Sequence, residues 1–188
     1  MVSNSAQGAV LGAAYSAELM NGEGSYVELF GARSDNNAAT RSNGYRTVIN
    51  QYPSLAQVGS VVANWVRTQG NNRMQNMMQA NPVINGVISG NDEMALGTIA
   101  ALKEAGRLDG VIVGGIDGNP DAIEAIRAGE MAYTVIQPVA IFAEEIVRQV
   151  DRFIRTGETG VYQEKQLFDC LLITSDNVDR YVAPFVLV

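Results

Sequence analysis

Three observations predict an α/β fold in which a parallel sheet is doubly wound by helices. Short apolar runs alternate with helical patterns along the chain, and strands joined by single helices imply right-handed crossovers and a sheet covered on both faces. Two of the runs, VINGVI and VIVGGI, are apolar without interruption, as strands buried on both faces are. The runs also end on polar or flat side chains: VINGVISG reaches Asn91, VIVGGI reaches Asp117, MAYTVI reaches Gln137, SVVAN reaches Trp65, and YVELFG enters a polar loop leading to Arg41. Parallel sheets hold ligands just beyond the carboxyl ends of their strands, so these five side chains are expected at one crevice.

Residues 5–20, SAQGAVLGAAYSAELM, read as a helix whose small residues permit close packing. Residues 25–30 form a strand, and 38–52 a helix closed by Pro53. This start puts Arg41 in the first helical turn, where the dipole disfavours a cation. Residues 55–63 form a strand, and 71–81 a helix ended by Pro82, with the methionines of MQNMMQ at core spacing. After a strand at 83–89 comes an amphipathic helix at 92–106, with Asp92 and Glu93 at its positive end and Gly106 suited to its close. A strand at 110–116 leads into a helix at 120–129, with Pro120 in the first turn and Gly129 after the end. A strand at 131–136, a long helix at 139–157 and a last strand at 165–174 complete the pattern, without repeats or low-complexity segments.

Composition narrows the chemistry. The length of 188 residues suits one domain, and no apolar run approaches the ~20 residues of a membrane span. The N-terminal MVSNSAQGAVLGAAY carries neither a basic region nor a secretory apolar region, so no signal peptide is read. Net charge is −7 with scattered Lys and Arg, which argues against a nucleic-acid partner. The chain has no histidine, excluding His-based triads and His-ligated metals. Cys170 is the only cysteine, so it can form neither an internal disulfide nor a Cys-based zinc site and reads as a small buried apolar residue. Asp92 and Glu93 point to different sides of their helix, the glycines of GVIVGGIDGNPD lack the phosphate-loop spacing, and Ser3, Ser5 and Ser42 have no base. A non-catalytic protein without metal or cofactor is expected.

Each candidate has two readings. Trp65 offers a flat apolar face with a polar N–H, or caps the core. Asn91 is a helix N-cap or a ligand contact. Asp117 is a turn residue of Asp-Gly or a charged acceptor. Gln137, just before Pro138, can donate to one hydroxyl and accept from another. Arg41 is a surface arginine or a ligand donor.

NDEMALGTIAALKEAG followed by VGGIDGNPDAIEAIRAGEMAYTVIQ closely resembles the second lobe of periplasmic sugar-binding proteins of the ribose-binding type, and TRSNGYRTVINQYP and NPVINGVISG match it too. The resemblance implies a solute receptor of an ATP-driven (ABC) importer, periplasmic in the parent protein, with a permease partner. It implies that Arg41, Asn91, Asp117 and Gln137 bond sugar hydroxyls, and that Trp65 stands where an aromatic, usually phenylalanine, stacks on the sugar. A pentose, a hexose or a short polyol would suit. VSNSAQGAVLG matches the start of the second lobe, so a first lobe is expected to be missing, and the chain would be cytoplasmic if made from an internal start. Residues 3–137 and about 171–188 would form the second lobe, and 138–170 would belong to the absent one. The apolar stripe of Ile141, Phe142, Ile146 and Phe153 would then face water, and homo-oligomers are expected through this segment. The alternative is the effector-binding core of a LacI-type transcriptional repressor, which shares the fold.

Overall fold

A computed structural model describes residues 1–183 and 185–187. The elements are β1 (Val2–Ser3), α1 (Ser5–Leu19), β2 (Glu23–Phe30), α2 (Asn36–Ile49), β3 (Ser54–Val62), α3 (Arg67–Ala80), β4 (Gly86–Ser89), α4 (Asp92–Glu104), β5 (Ile112–Asp117), α5 (Pro120–Arg127), β6 (Tyr133–Ile136), α6 (Val139–Thr156), β7 (Leu167–Phe168) and β8 (Leu171–Thr174). A 3-10 turn (Val178–Arg180), β9 (Tyr181–Ala183) and β10 (Val186–Leu187) follow.

Six strands form the main sheet in the order β3-β2-β4-β5-β6-β8. The pairs from β3 through β6 are parallel, and β8 runs antiparallel to β6 at the edge. The winding reverses beside β2: β3 lies on one side and β4 on the other. In such sheets a reversal of this kind marks the usual ligand position, a crevice at the carboxyl ends of the strands.

Neighbouring residues of a strand face opposite sides, and here both sides are covered. Val27, Leu29, Val87 and Val113 join one core with Met74, Met94, Leu102 and Ile123 from α3, α4 and α5. Tyr26, Ile88, Ile116, Tyr133 and Val135 join the other with Ala9, Ala13, Tyr45 and Cys170. This two-sided burial is why the strands read as uninterrupted apolar runs. The small residues of α1 allow its approach to α2: a side chain on Gly44 would come 2.7 Å from the Ala9 Cβ.

Three expectations are corrected. The helix expected from residue 71 begins at Arg67. Gly70 sits against the Met94 backbone, and Gly97 of α4 sits against the Arg67 backbone, so the two glycines let α3 and α4 touch main chain to main chain. The helix expected from residue 38 begins at Asn36, because Asp35 caps it by accepting from Asn37 N at 2.8 Å. Arg41 therefore lies in the second turn, beyond the first-turn dipole penalty. The single last strand is two: β7 pairs in parallel with β1 as a separate ribbon, and only β8 joins the main sheet.

The helix α6 stands apart from both cores and buries none of its residues. It ends on Gly157, whose φ of 77° makes the left-handed cap. Phe142 meets Phe168 of β7 edge to face at 5.2 Å, and Gln149 and Gln166 exchange hydrogen bonds at 2.9 and 3.2 Å. Ile146, Phe153 and Ile154 are 52%, 55% and 77% exposed.

Candidate ligand-binding site

The five residues singled out in the sequence form one chain of contacts at the carboxyl rim. Arg41, buried on α2, donates from Nη1 to the Gly90 carbonyl at 2.6 Å and to Asp117 Oδ1 at 3.3 Å. Asp117 Oδ1 also accepts from Gln137 Nε2 at 2.7 Å. Gln137 Oε1 accepts from the Ser3 hydroxyl at 2.8 Å, which is the pattern that directs the amide nitrogen toward Asp117. The Arg41 guanidinium carbon lies 5.3 Å from the centre of the Trp65 ring, within cation–π range. Asn91 Nδ2 donates to the Trp65 carbonyl at 3.4 Å.

Trp65 lies in the loop between β3 and α3, as expected. Asn64 and Trp65 have φ of 52° and 67°, two successive left-handed non-glycine residues. Such conformations cost on the order of 1–3 kcal/mol each and persist where the surroundings over-determine them. The surroundings are the ends of β2 and β4, the two strands of the switch point. A side chain on Gly31 would collide with the indole, and one on Gly90 would come 3.1 Å from its Cζ3. The indole Nε1 and the Arg41 Nε are buried and have no partner among the described residues. Two orphaned donors at one crevice are unusual, since buried donors are normally satisfied.

Asn91 caps α4, accepting from Met94 N at 3.0 Å. The capping reading of this residue is seen in the structure, and its amide nitrogen is turned toward the Trp65 loop. Asp117 closes β5 with φ of 145°, and burial pushes its carboxyl above the usual carboxylate range while Arg41 pulls it back.

Asp92 is the residue that sequence reasoning missed. It reads as an ordinary acid at a helix start, yet it is fully buried. Its Oδ2 accepts from the backbone N–H of Gly118 and of Asn119, each at 2.8 Å, and its Oδ1 accepts from the Thr134 hydroxyl at 2.6 Å. Burial, then the negative charge of Asp117, pushes its pKa up to about 7. The one trace in the sequence is Gly115, whose missing side chain leaves room for this carboxylate. Outside the crevice, exposed Arg67 bonds Glu93 at 2.9 Å and Asp121 at 2.7 Å, bracing the starts of α3, α4 and α5.

One carboxylate, one guanidinium, two amides and an indole make a surface suited to hydroxyl-rich neutral molecules. Among the described residues no cluster of His, Cys, Asp or Glu could hold a metal ion. Many unrelated proteins share a doubly wound sheet with a ligand position at its switch point; the class here, the type I periplasmic-binding-protein architecture, is given by the match to solved structures. The chain belongs to the periplasmic binding protein domain family, whose model matches residues 2–159.

Two curated relatives are D-apiose import binding proteins. The one from Actinobacillus succinogenes is 51% identical over 96% of this chain and 58% of its own length. The one from Paraburkholderia graminis is 45% identical over 96% of this chain and 57% of its own. A solute-binding protein of an ABC transporter from Bacillus halodurans C-125, solved with bound myo-inositol, superposes with a TM-score of 0.87 at 32% identity. That match covers 96% of this chain and 61% of the other. The chain thus spans about three-fifths of the length of these relatives.

Proposed function

We propose that this chain supplies one wall of the solute cleft of a periplasmic sugar receptor that delivers its ligand to an ABC permease. The observation that carries the proposal is the unbroken set of contacts from Gln137 through Asp117 and Arg41 to Trp65 and Asn91, placed at the sheet's switch point. In this reading Asp117 accepts from a sugar hydroxyl, Arg41 and Asn91 donate, and Gln137 does either. Trp65 lays its ring on the C–H side of the sugar. The orphaned indole and guanidine N–H groups support a polar guest. The two D-apiose import binding proteins make D-apiose, a branched pentose, the first solute to test. The myo-inositol bound by the Bacillus relative makes cyclic polyols the second.

The segment 138–170 belongs, in the same proposal, to the first lobe, which completes the cleft. The uncovered face of α6 and the separate β1–β7 ribbon support that division. Binding would then close two lobes about a hinge. The 188 residues alone would bind weakly and self-associate through α6.

Trp65 is the only tryptophan, so its fluorescence reads the site directly. Titration with D-apiose, D-ribose, D-allose, xylitol and myo-inositol is expected to give a saturable change with at least one of them. The same sugar should raise the melting temperature, since a ligand of the native state stabilises it. Trp65→Ala should remove most of that thermal shift. A shift that survives the substitution would make the indole a packing residue, and no response to any of the five solutes would refute the sugar reading.

A further inference from the structure

The turn that follows β5 has a feature that neither the fold nor the five site residues require. Asp117 ends the strand in a left-handed backbone conformation, and Gly118 follows it at φ of 79°. Two successive residues of positive φ direct the chain sharply away from the sheet. Three donors hold this turn from beneath, and one carboxylate, that of Asp92, accepts from all of them: Gly118 N, Asn119 N and Thr134 Oγ1. Asp92 touches no open part of the crevice, being fully buried. It begins α4 immediately after Asn91, so the same helix start presents one side chain to the Trp65 loop and the next to the Asp117 turn.

We infer that Asp92 is a positioning residue for solute binding, gripping the Gly118–Asn119 amides and the Thr134 hydroxyl so that the Asp117 carboxylate is aimed into the crevice. The inference rests on the sugar-binding reading of Asp117. A carboxyl group that bonds two neighbouring turn amides and a hydroxyl of the adjacent strand fixes the turn against β6 through geometry. Without it, the Asn119 amide would lose its acceptor inside the protein, Gly118 N would keep only the Thr134 hydroxyl at 3.2 Å, and the strained φ of Asp117 would relax at the expense of its direction. The raised pKa of Asp92 fits a group placed for geometry in a site where a second carboxylate lies close by. Gly115 is part of the same device, because any side chain there would occupy the space of the Asp92 carboxyl group.

A double-mutant cycle tests this, with Trp65 fluorescence titrated by D-apiose and the panel above in wild type, Asp92→Ala, Asp117→Ala and the double variant. If Asp92 acts through Asp117, each single change weakens binding by about tenfold or more, and the double variant binds no more weakly than Asp117→Ala alone. Losses that multiply in the double variant would overturn the inference while leaving the sugar reading intact. A wild type that answers to none of the solutes would overturn both. Asp92→Asn covers the case in which the alanine variant does not fold. Its amide oxygen can still accept from Gly118 and Asn119 while its NH2 donates to Thr134, so positioning predicts affinity within about threefold of wild type. A tenfold or greater loss in Asp92→Asn at unchanged melting temperature would show that charge matters rather than the turn, and would also overturn the inference. Hydrogen exchange gives a reading without any ligand: the Asn119 amide is expected to be protected in wild type and Asp92→Asn and exposed in Asp92→Ala, and equal protection in all three would count against the grip.

Discussion

The helices α4 and α6 both carry apolar side chains at helical spacing, the stripe being sharper in α6, and they meet opposite fates. In α4, Met94, Ala95, Ile99 and Leu102 are buried in the core. In α6, Ile146, Val147, Val150, Phe153 and Ile154 lie open. The difference is topological. The first is the crossover between two adjacent parallel strands, β4 and β5, so winding alone presses it onto the sheet. The second leads from β6 to β7, a strand outside that sheet. An apolar stripe states that a face needs cover, and connectivity decides whether cover is present.

The sharpest way to break this comparison is to truncate one residue from each helix. Leu102→Ala in α4 is expected to cost about 2–5 kcal/mol of unfolding free energy in urea, through lost burial and a residual cavity. Ile154→Ala in α6 should stay within about 0.5 kcal/mol in dilute, monomeric samples. Equal costs would mean that α6 is packed in solution. The next largest effect is expected at the contact between α3 and α4. Gly97→Ala places a methyl group against the Arg67 backbone and should cost about 1–3 kcal/mol, measured by the shift in urea midpoint at constant slope.

A charge on the open face sharpens the comparison further. Phe153→Glu should reduce self-association in sedimentation velocity and leave the urea midpoint nearly unchanged. A midpoint that falls steeply would place Phe153 in the cooperative core. A pH slope from Asp92 is expected as well. Its pKa in the folded chain is raised from 3.8 to about 7 by burial and by Asp117, with Arg41 beside Asp117, Tyr133 behind and Glu93 on the same helix as the other ionisable neighbours. The folded state therefore binds the extra proton between these values. The stabilisation is complete below the unfolded pKa and is lost as pH rises through about 7. The stability of wild type relative to Asp92→Asn should thus increase from about pH 8 to about pH 5. A difference independent of pH would contradict the shift.

Much of the fold was legible because each crossover carries its own punctuation. Pro53, Pro82, Pro120 and Gly129 bound helices where expected, and uninterrupted apolar runs marked strands covered twice. The errors arose where a residue served a distant partner. The start of α3 was placed too late because the use of Gly70 is the distant backbone of Met94, and Asp35 was overlooked as a cap because the polar run around it has no period. The meeting of the rim residues was foreseeable for Trp65, Asn91, Asp117 and Gln137, which stand at or shortly after strand ends that converge in a parallel sheet, while Arg41 reaches the same rim from the second turn of α2. The role of Asp92 was not foreseeable, since its three donors come from residues 26, 27 and 42 positions away and only folding brings them to it. The Arg41–Trp65 stack was equally hidden, because it depends on Gly31 and Gly90 leaving the indole room.

The central claim is that the carboxyl rim of this sheet holds a sugar without transforming it. Backbone amide shifts recorded during a titration with D-apiose test it most directly. Changes that saturate together at Arg41, Trp65, Asn91, Gly118 and Gln137, with the sugar recovered unaltered, are the expected result. Changes confined to the opposite rim, around Asn85 and Gly110, or a chemically altered sugar, would contradict it.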